Sequence, residues 1–326
     1  MDAKILALAD RDTDYLEKFN NYIRTNYTGI YECHCFTDKE CLMEYGLEHE
    51  ITVLMVDGTL YSEDLKRIRT DRIFILDEES GGDEGDGIKR INRYRNADSI
   101  IKEVLKETSG AGEEKVQILS ETPGRLFTVF SPISRSLKTT LAVAMSQLLS
   151  DKGKTLYINT EGFSGFNQIF MSKYDTDLSD LIFFLKSGCA DFPYKLLGAV
   201  VSSRGYDYIP PAMMPADIYA VEGNVWDELF DQAGRCGYEY IVLDMGNYLN
   251  GMFEILKRSE RVFMPVRTDS ISRSKLTQFE ALLHISGNEE LIGTVEKLNL
   301  PFFENIPSIS SDLRLSEPAK FIAERL

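Results

Sequence analysis

No apolar run in this 326-residue chain approaches the ~18 residues needed to cross a bilayer, which excludes a spanning helix of the usual kind. The opening segment, Met1 to Asp10, lacks the basic leading region and small-residue cleavage site of a secretory signal, so a cytoplasmic protein is expected. Positive charge is scarce: 36 Lys and Arg face 52 Asp and Glu, a formal charge of -16. That deficit opposes docking on nucleic acid or anionic lipid, both of which need basic side chains against phosphate; neither a nucleic-acid partner nor direct membrane binding is expected. Cysteine is sparse and odd in number at five, so a disulfide framework is excluded. Cys33 and Cys35 flank His34 and Cys41 lies near, but the C-x2-C spacing of zinc sites is absent. These thiols are read as small buried hydrophobes rather than ligands. Internal repeats are absent too. With 43% hydrophobic and 27% charged residues, the chain has neither a collagen-like nor a disordered composition.

The length argues for two domains. Residues 108–124 hold Gly110, Gly112, Pro123, Gly124 and several acids with few large apolar residues, and read as a linker between domains at 1–107 and 125–326. Glu78 to Gly87, with four glycines and five acids, reads as an acidic loop inside the first domain. That domain alternates strand and helix signals. Lys4 to Ala9, Glu32 to Phe36, Ile51 to Val56 and Arg72 to Leu76 read as strands. Tyr15, Phe19, Tyr22 and Ile23, and later Ile100, Ile101, Val104 and Leu105, recur at helical spacing. Continuous apolar strands separated by helices indicate a parallel sheet covered on both faces, whose functional residues gather at strand carboxyl ends. Asp10, Asp57 and Asp77 fall there.

This arrangement resembles a response-regulator receiver domain. The resemblance implies an acidic pair after the first strand and a phospho-accepting Asp after the third; Asp10 and Asp57 match, with Asp12 following. Arg11 replaces the second acid, Asp77 replaces the hydroxyl residue after the fourth strand, and the Lys after the fifth has no counterpart, although Arg93 and Tyr94 lie near. A pseudo-receiver serving as a docking or dimerisation module is preferred over one phosphorylated at Asp57, because phosphoryl transfer needs clustered carboxylates holding Mg2+.

In the second domain Leu126 to Phe130 is strand-like. The turn Ser131-Pro132-Ile133-Ser134-Arg135-Ser136-Leu137-Lys138-Thr139-Thr140 follows, then an apolar helix face of Leu141, Ala144, Met145, Leu148 and Leu149. A Lys-Thr pair at a strand-to-helix turn is the setting in which backbone N–H groups face an anion, the Lys reaches outer phosphates and the hydroxyl holds Mg2+. Here Ser134, Arg135 and Leu137 stand where such loops carry glycine, and a Leu before the Lys is expected to be strained if the loop keeps its usual shape. Tyr240 to Leu243 is an apolar strand ending in Asp244, suited to positioning Mg2+ through water. Asn159-Thr160-Glu161 ends the strand at Thr155 to Ile158, so three strand ends converge.

Together these segments resemble the ParA/MinD superfamily of P-loop ATPases. The resemblance assigns nucleotide contact to Ser134, Arg135, Ser136, Leu137, Lys138, Thr139 and Thr140, Mg2+ to Thr139 and Asp244, and catalytic roles to Asp244 and Glu161. Ile133 stands where that family has a Lys reaching across the dimer. The fold class implied is α/β, with two doubly wound parallel-sheet domains, one flavodoxin-like and one P-loop-like.

A receiver-like domain joined to such an ATPase resembles the TadZ/CpaE family, which localises and helps assemble Flp-type (Tad) pili. That family implies ATP and Mg2+ as cofactors, a homodimer, pilus-assembly or other localisation proteins as partners, recruitment by them to the inner membrane face or a cell pole, and weak or absent hydrolysis. The alternatives are a scaffold that binds no nucleotide and a signalling protein phosphorylated at Asp57. A DNA-partitioning ATPase is disfavoured by the acidic charge and the missing loop glycines. The tail from Leu313 to Leu326 is expected to pack on its domain, and Trp226 to lie in the core.

Overall fold

The computed structural model describes residues 4–27, 31–78, 88–95, 97–108, 123–174, 176–189 and 192–326. Of the linker 108–124, only Thr108, Pro123 and Gly124 are among them, and of the acidic loop only Glu78; the rest of both lies outside the described residues. The chain divides into two compact units, Met1–Leu119 and Ser120–Leu326.

The first unit runs β1 (Lys4–Ala9), α1 (Thr13–Asn26), β2 (Tyr31–Phe36), α2 (Lys39–Glu48), β3 (Ile51–Asp57), a 3-10 turn at Glu63–Arg67, β4 (Thr70–Asp77), β5 (Ile88–Asn92) and α3 (Ala97–Thr108). The five strands are all parallel in the order β2-β1-β3-β4-β5. The order reverses between β1 and β3, which opens a crevice at their carboxyl ends. Both central strands are apolar runs buried on two faces, Leu6 to Ala9 and Val53 to Val56. Asp12 caps α1 by accepting the N–H groups of Asp14 and Tyr15, each at 3.1 Å, and Asp38 caps α2 through Cys41 N–H at 2.8 Å. On the edge strand β2, Cys33 is half-buried and Cys35 exposed, and Cys41 is exposed as well, which corrects the reading of these thiols as buried.

The second unit begins with β6 (Arg125–Val129), α4 (Lys138–Ser150), β7 (Thr155–Asn159), α5 (Phe166–Ile169), α6 (Leu178–Lys186), α7 (Phe192–Ala199), β8 (Val201–Ser203) and β9 (Tyr206–Tyr208). It continues with α8 (Pro215–Tyr219), α9 (Gly223–Arg235), β10 (Tyr240–Asp244), α10 (Met252–Arg258), β11 (Arg261–Val266), α11 (Ser270–Ile285), α12 (Leu291–Thr294), β12 (Val295–Asn299) and α13 (Glu317–Ala323). Its sheet has the order β12-β11-β6-β10-β7-β9-β8.

The pairings are parallel, as expected of a doubly wound sheet, except at one edge. β8 runs antiparallel to β9. Arg204 and Gly205, both at positive φ (50° and 95°), make the two-residue turn that a tight hairpin requires. A doubly wound core remains, with β6 between β10 and β11.

Helix α4 is buried nearly all round because α13 covers the side away from the sheet. Ala319 and Ile322 of α13 join Leu141, Met145 and Leu149 in one core cluster, and Arg314 ties the approach to α13 to Asp151 at 3.0 Å. The tail therefore packs on its domain, as expected. Trp226 is fully buried on α9 beside Leu229 and Phe230.

Candidate functional site

Strand β6 lies between two strands that come later in the chain, so the turn from β6 into α4 opens at a topological switch point. The turn makes its bend without glycine. Arg135 and Leu137 hold φ of 56° and 65°, both left-handed, and Leu137 is the residue from which α4 starts. A left-handed non-glycine residue costs roughly 1–2 kcal/mol, so the loop stores backbone strain at two positions. Arg267, a residue that the sequence pattern did not single out, donates to the Arg135 carbonyl at 3.4 Å. Ser131 anchors the start of the turn: its hydroxyl donates to Pro265 O at 2.7 Å and accepts Ile133 N–H at 3.1 Å. The Arg135 side chain is exposed. Arg135→Gly is therefore expected to raise the stability of the second unit by up to about 1 kcal/mol, the relieved strain exceeding the extra freedom of the unfolded chain. Thermal unfolding checks this, and a lowered midpoint would contradict the left-handed assignment.

The structure brings together three of the residues that the sequence singled out. The Lys138 ammonium, 5% exposed, pairs with Glu161 Oε1 at 2.5 Å and donates to Met245 O at 3.0 Å. Asp244 ends β10 beside it, fully buried. Its Oδ2 accepts from the Tyr157 hydroxyl and from Asn159 Nδ2, each at 3.0 Å. Asn159 Nδ2 also donates to the Tyr157 hydroxyl at 2.9 Å, and its Oδ1 accepts Glu161 N–H at 2.8 Å. One amide thus orients both acids. Burial raises the Asp244 carboxyl to about 6; Lys138, the Thr139 hydroxyl and Tyr157 oppose the rise, and Glu161 adds to it. Tyr157 is itself driven up by burial and by Asp244, so it stays a donor. Its ring stacks on Phe166 with centroids 5.6 Å apart.

The ends of β7 and β10 are held close by Gly246. A Cβ there would stand 2.5 Å from Thr160 O, and Gly246 N–H donates to the Thr160 hydroxyl at 3.0 Å. Of the remaining loop residues, Ser134 is exposed, and Thr139 and Thr140 lie half-buried on the first turn of α4. At this site the buried oxygens Ser136 Oγ and Asp244 Oδ1 have no hydrogen-bond partner. Orphaned oxygens of this kind, beside a Lys, a Thr and a helix start whose first N–H groups lack intrahelical acceptors, fit a polyphosphate and its divalent cation.

The first unit has its own cluster at the carboxyl ends of β1 and β3. Asp10 is 1% exposed and Asp57 5%. Asp10 Oδ1 accepts Asp12 N–H at 2.9 Å, and burial holds its carboxyl above the usual range against the pull of that N–H and of Arg93. Asp57 Oδ1 accepts the Thr59 N–H at 3.0 Å and the Thr59 hydroxyl at 2.5 Å. Asp57 Oδ2 meets Arg93 Nη1 at 2.6 Å, while Arg93 Nη2 lies 3.2 Å from Asp10 Oδ2 and 3.9 Å from Asp12 Oδ2. Asp77 turns instead to Arg90, at 2.7 Å. Arg93, which the sequence placed near the end of the fifth strand, is thus the cation that faces these acids. Among the described residues no group of three or more His, Cys, Asp and Glu is arranged to hold a metal ion, and no helix is long and apolar enough to cross a membrane.

Residues 1–109 match the family model described as a TadZ-like receiver domain. No curated protein matches the chain in sequence. Three solved structures resemble part of the chain. One is a putative plasmid partition protein from Borrelia burgdorferi B31 bound to AMPPNP, 13% identical over 63% of this chain and 100% of that one, with a TM-score of 0.43. Another is a ParA family ATPase from Chlorobium tepidum TLS, 18% identical over 62% and 98%, with a TM-score of 0.46. The third is a cobyrinic acid a,c-diamide synthase from Mycobacterium smegmatis with ADP and magnesium, 15% identical over 62% and 82%, with a TM-score of 0.42. The chain thus opens with a stretch that matches a TadZ-like receiver domain and continues into a doubly wound α/β unit.

Proposed function

We propose that this protein is a nucleotide-dependent localisation and assembly factor of the TadZ/CpaE kind, binding ATP over the Lys138 turn and hydrolysing it weakly or not at all. The observation that carries this reading is the left-handed backbone at Arg135 and Leu137, because a loop with no anion to hold has no reason to keep strain at two non-glycine positions. Thr139 and, through water, Asp244 would hold Mg2+, which supplies charge neutralisation between the outer phosphates. Binding requires Lys138 to leave Glu161. A single, partly exposed carboxylate is a weak competitor for a multiply charged triphosphate that also meets the helix N-terminus.

Weak hydrolysis follows from what faces the site. Ile133, at the position of the cross-dimer Lys, is buried within its own unit and brings no charge to a transition state. Bound nucleotide then acts as a stabiliser of one assembled state by mass action.

The homodimer belongs to the same proposal. Large apolar side chains stand exposed on the loops after successive strands of the second unit: Phe163 (95%) after β7, Met213 and Met214 after β9, Tyr248 after β10 and Phe302 (90%) after β12. All lie on the carboxyl side of the sheet, where the Lys138 turn also opens, and a second copy would cover them. Recruitment to pilus-assembly or other localisation proteins is proposed for the receiver unit.

Calorimetry of the full chain tests the central point. Mg-ATP is expected to bind with micromolar affinity, and light scattering to show a nucleotide-dependent dimer. Folded protein that gives no heat with saturating Mg-ATP would support the scaffold alternative instead.

A further inference from the structure

The crevice between β1 and β3 holds two almost fully buried carboxylates, Asp10 and Asp57, at the ends of neighbouring strands. Two such groups cannot both stay ionised beside one another without a cation. The chain supplies one. The Arg93 guanidinium reaches back from the loop after β5 and pairs with Asp57 at 2.6 Å and Asp10 at 3.2 Å. It is held in place from its sides: the Tyr15 ring lies 5.1 Å from it and the Tyr94 ring 5.8 Å. Arg93 N–H donates to Asp77 O at 2.9 Å, fixing the backbone that carries the side chain. Thr59 takes the remaining oxygen of Asp57 with two donors. Both Asp57 oxygens therefore accept hydrogen bonds from the chain itself, and Asp10 Oδ2, which has no hydrogen bond, is met by the ion pair with Arg93.

We infer that Arg93 is a built-in counter-cation that locks the first unit in one state, so that this unit responds neither to divalent cations nor to phosphoryl donors. A guanidinium suits the role because its fork spans two carboxylates at once and it is never deprotonated. The lock joins the loop after β5 to the ends of β1 and β3, three segments that a removable cation would couple only while bound. The inference concerns the first unit alone and stands or falls independently of nucleotide binding in the second.

Hydrogen exchange of the full chain, resolved by peptide, is the test. Protection of the carboxyl halves of β1 and β3 is expected to be the same in EDTA, in MgCl2 and in MgCl2 with beryllofluoride. Arg93→Ala is expected to raise exchange there by about tenfold or more in EDTA, since removing one partner strands two buried charges. Arg93→Lys should keep most of the protection. If Arg93→Ala does not fold, the double variant Arg93→Ala with Asp57→Asn removes one charge of each sign and should fold with protection restored. Wild-type protection that rises with Mg2+ or beryllofluoride would overturn the inference. So would Arg93→Ala exchanging at the wild-type rate in EDTA, or a double variant less protected than Arg93→Ala.

Discussion

Lys138→Ala is expected to weaken Mg-ATP binding by the full chain at least about hundredfold, roughly 3 kcal/mol, while leaving the protein folded. The lost interaction is a charge-assisted one to the outer phosphates at a site where the ammonium is 5% exposed. The fold survives because the partners left behind are tolerable: Glu161 is partly exposed and Met245 O loses one donor. Glu161→Gln has the opposite sign. It keeps the side-chain shape, frees the ammonium from its ion pair, and is expected to tighten binding several-fold. Opposite responses at two residues that touch each other are hard to obtain from a scaffold that ignores nucleotide. Equal affinities in all three proteins, measured by calorimetry, would contradict the role given to Lys138.

Asp244→Asn is expected to stabilise the nucleotide-free protein, by an amount that depends on pH. The folded-state pKa of Asp244 is raised by burial to about 6 from an ordinary value of 3.8. A raised carboxyl favours the protonated folded form. Its contribution to stability is full below pH 3.8 and is lost as pH rises through about 6. Above that window the native protein carries an ionised, fully buried acid with one unsatisfied oxygen, a penalty of about 2–3 kcal/mol at pH 8. Asn removes the titration and still accepts from Tyr157 and Asn159. Denaturant titrations of both proteins should therefore show a gap that is widest near pH 8 and closes toward pH 4. A gap of constant size across that range would mean that Asp244 is ionised at no cost. Such a cost is understandable if the acid is kept for Mg2+, which would satisfy what the apo protein leaves unpaired.

The sequence made some of this legible and hid the rest for identifiable reasons. Lys4 to Ala9 and Ile51 to Val56 are continuous apolar runs, and such runs can be little else than central parallel strands; both appear where expected. Asp10, Asp57, Lys138 and Asp244 could be placed because strand ends are readable and ligands gather there. β5 was missed because it is an edge strand in which Lys89 and Arg90 leave only Ile88 and Ile91 to mark it. Its omission also left Arg93 named only as lying near that position, because its role depends on where the strand ends. The antiparallel β8 was missed because each partner in its hairpin is only three residues long.

The pairing of Lys138 with Glu161 was not legible at all. It arises from the close approach of the β7 and β10 ends at Gly246, a tertiary fact with no periodic signature. Tyr157 was similarly hidden, since an aromatic inside a buried strand looks like core until its hydroxyl is seen on Asp244. The strain expected at Leu137 is present, and Arg135 shares it.

The most direct measurement is a crystal of the full chain grown with saturating Mg-AMPPNP. A triphosphate should lie along the turn from Ile133 to Thr139, with the Lys138 ammonium turned from Glu161 to the outer phosphates and Ser136 no longer orphaned. An unchanged turn, with Lys138 still on Glu161 and nothing bound above it, would contradict nucleotide binding and leave the second unit a scaffold.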